Sequence, residues 1–363
     1  MKIGILTLPL GSNIGGVLQA YALQHFLCKM SHTAIVIDRK RLDAKEEINS
    51  IDKLKDVIKL VYHIIREFRF SSKNAKRVFI EKYIIPMSPP IYSKEQLKYF
   101  VYENKLNAVI VGSDQVWRKW NHDPCFTDLS DYFLDFISED NRIIKIAYAV
   151  SFGLNTWEVR DDESVLFRRL VSNFKSVSVR EKSGIDISKN ILGIDSIHVL
   201  DPTMLLNKEE YMHLFNLSER KERNSLFCYF LDDDILINQI IKEISVNLQL
   251  NTVKKCNGKN IRIENWLQGI YQADYVLTDS FHGCVFSVLF NKPFVVYGNE
   301  IRGTARIKSL LEMFNLENRL VYKQNIKTVN DLFKQSINWH NVNSILQEWR
   351  LVSANFINES LKS

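Results

Sequence analysis

One stretch constrains the fold of this chain more than any other: residues 273–297, ADYVLTDSFHGCVFSVLFNKPFVVY. Residues 275–278 and 293–297 are short runs rich in β-formers, and 283–290 between them is apolar and flanked by turn residues. That order of runs reads as strand, helix, strand, the βαβ unit of a parallel sheet. Asp279, Ser280, Phe281, His282 and Gly283 fill the turn before the helix. In an open parallel sheet such a turn lies at the carboxyl ends of the strands, where ligands bind. The helix start offers unpaired N–H groups and a partial positive charge to an anion, and an imidazole there can give or take a proton. The alternative is a histidine that only packs a helix start. The strand-end position and the small neighbours Ser280 and Gly283 favour a functional one.

The same alternation runs through the chain. Residues 2–8 read as a strand, Gly11-Ser12-Asn13-Ile14-Gly15-Gly16 as a glycine-rich turn, 17–29 as a helix and 34–38 as a strand. The turn matches neither GxGxxG nor a P-loop; it brings backbone close to a ligand or is simply tight. Strands are expected at 107–111, 143–151, 177–179, 197–200 and 225–231, with helices at 94–103, 163–173, 235–248 and 341–362. Residues 118–141 show no clear period and read as an irregular excursion. Polar residues recur at strand ends, as expected of a doubly wound sheet with a site along one edge. A charged stretch at 207–224 marks a boundary. The expected organisation is 1–206, 207–340 and a closing helix at 341–363 that reaches back toward the first domain.

Size and charge narrow the function. At 363 residues the chain suits two domains, and 46% hydrophobic with 25% charged residues is a soluble, globular composition. The start reads as strand and turn rather than a signal peptide, and no run approaches a membrane span. Cys28, Cys125, Cys228, Cys256 and Cys284 are scattered without a CxxC pair, which suggests reduced thiols in a cytoplasmic protein and no zinc site. Residues 53–77 carry eight basic side chains against Asp56 and Glu67, a surplus equal to the +6 of the whole chain. The neutral remainder and the lack of a motif argue against nucleic acid. Within that segment, apolar residues at 54, 57, 58, 61, 64, 65 and 68 have helical spacing. Such a helix lies on an anionic membrane or is a solvated surface helix.

Candidate site residues therefore sit at strand ends: Gly15, Gly16, Asp114, Ser151, Arg180, Ser280 and His282, with Arg302 and Arg306 further on. Asp114 suits a general base, a ligand for a sugar hydroxyl or a turn cap. Two α/β domains facing each other would put these turns on opposite walls of a cleft. No metal-ligand cluster, GxSxG elbow or Cys–His pair is visible. Arginines suit carboxylate or phosphate, and the histidine suits proton transfer. The set fits transfer from a small phosphorylated or nucleotide-linked donor.

The blocks GGVLQAYAL (15–23), VGSDQVW (111–117), YAVSFG (148–153), SVRE (178–181), LDPT (200–203) and ADYVLTDSFHG with NKPF (273–294) occur in an order that resembles the polysaccharide pyruvyl transferases. The resemblance implies two Rossmann-like domains facing a cleft, similar to GT-B type glycosyltransferases. It implies transfer of the pyruvyl group of phosphoenolpyruvate, without a cofactor or metal, onto a glycan or lipid-linked oligosaccharide as a cyclic ketal. By resemblance His282 is the donor-site histidine and acid/base, Arg180 an arginine that contacts phosphoenolpyruvate, and Asp114 a nearby carboxylate. Ser280 stands where better-known members carry arginine, which leaves Arg302 or Arg306 to supply the charge. Gly283 completes the donor side; Asn13, Gly15, Gly16, Gln115 and Ser151 are expected on the acceptor side. The setting implies work at the inner face of the cell membrane, with 53–77 as a peripheral contact. Two other readings stand beside it: a nucleotide-sugar glycosyltransferase of the same architecture, and a non-catalytic glycan-binding protein.

Overall fold

The computed structural model of the protein describes residues 1–11, 13–40, 75–119, 128–218, 223–231, 235–258, 261–298 and 303–362. The amphipathic helix expected at 54–70, nearly all of the basic segment around it, and Arg302 lie outside the described residues. The chain divides into two compact units. Unit 1 is Met1–Pro202 with Asn355–Ser363, and unit 2 is Thr203–Ala354.

Unit 1 is built on a six-stranded parallel sheet of β1 (Lys2–Leu6), β2 (Thr33–Ile37), β3 (Ala108–Val111), β4 (Ile144–Val150), β5 (Ser176–Val179) and β6 (Ile197–His198), in the order β2-β1-β3-β4-β5-β6. The central strands are near-continuous apolar runs because both faces are covered. Helix α1 (Ile14–Lys29) follows β1; α2 (Ala75–Tyr83) and α3 (Lys94–Glu103) precede β3; α4 (Asp161–Val171) and α5 (Lys182–Asn190) precede β5 and β6. The described part of the stretch 118–141 is more regular than its sequence suggests. It contains short 3-10 helices at Leu129–Phe133 and Asp135–Ile137, too short to show a period. Their aromatic residues are core: Trp117 stacks on Phe133 at 4.6 Å, and its indole N–H donates to the Tyr132 carbonyl. Arg39, buried, anchors the segment by donating to Asp131 at 2.8 Å.

Unit 2 holds a five-stranded parallel sheet of β7 (Ser225–Tyr229), β8 (Thr252–Cys256), β9 (Tyr275–Thr278), β10 (Phe294–Tyr297) and β11 (Leu320–Val321), ordered β11-β10-β9-β7-β8. The helices are α6 (Lys208–Leu214), α7 (Ile235–Asn247), α8 (Ile263–Gln272), α9 (Phe281–Leu289), α10 (Ala305–Met313), α11 (Val329–Lys334) and α12 (Trp339–Leu361). Helix α6 occupies the charged stretch read as a boundary. An Asn207–Glu210 capping box starts it, the N-x-x-E signal of a helix start. The last turns of α12 belong to unit 1, where Ser176 bonds Ser360 and the Tyr148 ring lies 6.1 Å from that of Phe356.

Both sheets share a topology. The first strand of each unit has the second on one side and the third on the other, so strand order reverses beside it. Ligands of open α/β sheets bind at the carboxyl ends of the strands flanking such a reversal. In unit 1 these are β1 and β3, and in unit 2 β7 and β9.

Candidate functional sites at two strand reversals

In unit 1 the turn after β3 is shaped by backbone. Gly112 has φ +120°, and a Cβ there would stand 2.1 Å from the Tyr148 carbonyl oxygen, so no side chain fits. Asp114 follows at φ +77°, a left-handed conformation that costs energy for a non-glycine residue and recurs at functional sites. Surrounding bonds hold it: Ser151 N–H donates to the Asp114 carbonyl at 2.9 Å, Ser113 Oγ to the Ala149 carbonyl at 2.8 Å, and Thr7 Oγ1 to the Ser113 carbonyl at 3.0 Å.

The Asp114 carboxylate meets α1 on one side and β5 on the other. Asn13 caps α1 by accepting from Gly15 N–H at 3.0 Å, and its amide lies 3.5 Å from Asp114 Oδ2. A Cβ on Gly16 would be 3.7 Å from the same oxygen. Arg180 donates to Asp114 Oδ1 at 3.1 Å, to Asp201 Oδ2 at 2.7 Å and to Gln19 Oε1 at 3.4 Å. Burial alone would lower the proton affinity of this guanidinium. The charges of Asp201, Asp114 and Glu181 outweigh it and push the pKa up, so Arg180 is a fixed cation.

Glu181 closes the arrangement. Fully buried, it accepts from Ser151 Oγ at 2.9 Å, Phe152 N–H at 2.7 Å and Gly153 N–H at 3.3 Å. Ser151 is thus a structural hydroxyl holding the β4 and β5 ends together, not a side chain presented to solvent. Gln115 is only partly buried and accepts from Arg118 at 2.9 Å. The structure therefore gathers Asn13, Gly15, Gly16, Asp114 and Arg180. It adds Gln19, Glu181 and Asp201, which the sequence reading left out of the site although each lies in a quoted block. The signal was available for Asp201, an acid directly at a strand end.

In unit 2 the helix after β9 begins two residues earlier than its sequence suggests. Ser280 is the N-cap, with its side chain accepting from Gly283 N–H at 3.4 Å. Thr278 Oγ1 donates to the Tyr229 carbonyl at 2.6 Å and accepts from Ser280 N–H at 3.1 Å, which tightens the turn. His282 accordingly sits in the first turn of α9, not in the loop before it. A Cβ on Gly283 would stand 2.4 Å from Thr278 Oγ1, so glycine lets the helix start press onto β9. Asp279 ties the two central strand ends by accepting from Leu231 N–H at 2.9 Å.

His282 is 5% exposed and meets the Phe281 ring edge-to-face at 5.2 Å. The guanidinium of Arg306, in the first turn of α10, lies 5.9 Å from the centre of that ring. Ser280, His282, Gly283 and Arg306 are thus neighbours in unit 2, whereas Arg180 and Asp114 belong to unit 1. Cys28, Cys228, Cys256 and Cys284 are free thiols. Burial pushes Cys228 up to about 12 and Cys256 up to about 11, and raises Cys284 too, so these three are poor nucleophiles. No cluster of three metal-ligating side chains occurs among the described residues. Among them no helix is long and apolar enough to cross a membrane.

Comparison with solved structures gives the fold. A glycotransferase of kitacinnamycin aligns over 99% of both chains at 10% identity with a TM-score of 0.53. CalG4, the calicheamicin glycosyltransferase, aligns over 99% of this chain and 98% of its own at 10% identity and 0.51. Arabidopsis thaliana UGT89C1, complexed with UDP-L-rhamnose, aligns over 98% and 95% at 9% identity and 0.52. These likenesses establish an α/β architecture of the GT-B glycosyltransferase type. No curated protein sequence matches the chain. The family model for polysaccharide pyruvyl transferase matches residues 13–301, from the cap of α1 past the end of β10, and the chain belongs to that family.

Proposed function

We propose that the protein moves the pyruvyl group of phosphoenolpyruvate onto two hydroxyls of a sugar in a cell-surface polysaccharide or its lipid-linked precursor, forming a cyclic ketal. The observation that carries this reading is the placement of His282 in the first turn of α9, at the strand reversal of unit 2. An imidazole there combines proton transfer with the positive end of a helix, which favours an anion. Arg306 adds a guanidinium beside Phe281, where Ser280 brings no charge of its own. The donor, close to three negative charges at neutral pH, is assigned to this end of unit 2. The acceptor is assigned to Asn13, Gly16 and Asp114 in unit 1.

His282, as imidazolium, protonates the methylene carbon of phosphoenolpyruvate, and C2 becomes cation-like. One sugar hydroxyl adds to C2 and loses its proton to the imidazole. The C2–O bond to phosphate breaks and inorganic phosphate leaves. The second hydroxyl then closes the ketal, its proton going to the departing phosphate. Helix N–H groups and the arginine stabilise charge that develops in the transition state.

Mass spectrometry of lipid-linked or free glycans after incubation with phosphoenolpyruvate tests the reaction. A gain of pyruvate minus water with release of phosphate supports it; release of a nucleoside diphosphate from a sugar donor replaces it with glycosyl transfer. His282→Ala should fold and lose turnover by about 100-fold or more, the range for a lost acid–base group. Near-wild-type turnover in that variant would sink the assignment. On the same reading the basic segment 53–77 meets the anionic membrane carrying such precursors. Unchanged vesicle binding after charge reversal of 53–77 removes that part alone.

A further inference from the structure

Two adjacent residues leave the β3 end of unit 1 toward different neighbours. Asp114 meets Arg180 and Asn13. Gln115 lies against the turn after β4 instead. Gly153 in that turn has φ +77°, and a Cβ there would stand 2.4 Å from Gln115 Oε1 and 2.7 Å from Arg118 Cδ. Bare backbone at this point lets both side chains pack down. Arg118 Nη1 donates to Gln115 Oε1 at 2.9 Å, and its Nε lies 3.5 Å from Glu158 Oε2.

A guanidinium only donates, so the Gln115 atom facing it is the amide oxygen. That bond decides which way round the amide sits and turns Nε2 away from Arg118. Among the described residues it is the one hydrogen bond of the Gln115 side chain, and Nε2 is open to solvent. Gln115 is therefore held as a pure donor with two N–H groups to give, and a bond to a cation at the oxygen strengthens them. Such a group complements an oxygen that has lone pairs and no proton, a carbonyl or a carboxylate. A hydroxyl fits it less selectively, because its own proton must go elsewhere. Glu158 offsets the charge of Arg118, so the charge balance here demands neither an anion nor a neutral group.

We propose that Gln115 is a specificity residue for the acceptor sugar, its amide N–H groups donating to an acyl oxygen on that sugar, and that Arg118 is the positioning residue that holds the amide in this sense. The acyl oxygen is an acetamido carbonyl or a carboxylate, which share this chemistry. The inference rests on the pyruvyl-transfer reading above, which puts the acceptor in unit 1. A hydroxyl of the sugar then faces Asp114, and its acyl substituent lies over the turn after β3.

The test compares three sets of methyl glycosides: glucose, galactose and mannose, their 2-acetamido counterparts, and their uronic acids. Ketal formation from phosphoenolpyruvate is followed on each. Wild type should use the acetamido or the uronate set with a kcat/KM about tenfold or more above the parent sugars, and the set that gains identifies the oxygen. Two variants follow. Gln115→Glu keeps the shape and the Arg118 contact but presents an oxygen where the N–H groups were. Its ratio of acyl to parent sugar should fall to about one or below, with the parent rates within about threefold. Arg118→Met releases the amide and should lower the same ratio. A merely structural role would slow all three sets together and leave the ratio alone. A wild-type ratio near one overturns the proposal, as does a ratio that survives Gln115→Glu. A ratio that survives Arg118→Met overturns the positioning role. Where no ketal forms, calorimetry reads the ratio from glycoside Kd, and phosphoenolpyruvate binding, measured apart, shows whether the donor reading has failed. Absence of binding by every acyl-bearing glycoside at millimolar concentration overturns the inference as well.

Discussion

Replacing Arg180 by methionine removes one positive charge from a cluster sealed from water. The loss falls on Asp114 and Asp201, whose side chains are 5% and 0% exposed. Breaking a buried ion pair from one side costs about 3–5 kcal/mol, because the remaining charge stays desolvated. Unit 1 contains roughly 210 residues, a size at which each kcal/mol moves Tm by about 2–4 °C. Calorimetry should therefore show the unit 1 transition falling by about 10 °C at pH 7. The loss also has a pH signature. Without the cation the buried carboxylates are less favourable as anions, so protonation relieves the variant as pH falls. The gap between wild type and Arg180→Met should narrow from pH 7 to pH 5. Adding Asp201→Asn to the variant should recover much of the loss at pH 7, since it removes a negative charge from the buried cluster. A fall under about 2 °C, or a gap that is constant with pH, would refute the account of a buried, mutually dependent cluster.

A second pH effect comes from Asp131. Burial pushes its carboxyl from 3.8 up to about 6, ahead of the opposing pull of Arg39. A raised carboxyl pKa means that the folded state holds the proton more tightly, so this group's stabilisation is fullest below about 4 and is lost as pH rises through 6. Relative to Asp131→Asn, wild type should thus gain about 3 kcal/mol on going from pH 7 to pH 4; a difference in unfolding free energy that runs the other way contradicts it. Gly112→Ala combines a 2.1 Å approach to the Tyr148 carbonyl with φ +120° and should yield no native unit 1 by circular dichroism and melting. A wild-type melt in that variant would show that the turn is not constrained as described.

Much of the fold could be read from the chain because parallel sheets announce themselves locally. Short β-rich runs, helices of helical period and polar strand ends repeat in order. Helix α3 falls at Lys94–Glu103, as its sequence suggests, since Ser93 caps it and Leu97 and Val101 are buried at i, i+4. Where local signals were weak, the reading missed. Helix α5 follows Glu181 without a side-chain cap bond, and β8 is mostly exposed, with Lys254 and Lys255 in its middle. The start of α9 was displaced because Phe281 and His282 look like turn residues until Ser280 is seen to cap them.

The candidate site was legible as a set of positions, not as a set of partners. Arg180 and Asp114 are 66 residues apart, and Arg180 and Gln19 are 161 apart; no spacing rule links them. Asp201, only 21 residues from Arg180, was visible at a strand end, yet nothing local says that it rather than solvent would claim the guanidinium. Burial decides that, and burial follows from how β5 and β6 sit in the sheet.

The path of the chain has a practical corollary. Thr203–Ala354 is a continuous segment, while unit 1 is completed by residues from both ends of the sequence. In genetic terms the second unit is an insert. It can be excised as one reading frame, whereas a polypeptide stopped at Pro202 would lack Phe356 and Ser360, the partners of Tyr148 and Ser176. Producing the first unit alone would call for a short linker splicing residue 202 to residue 355.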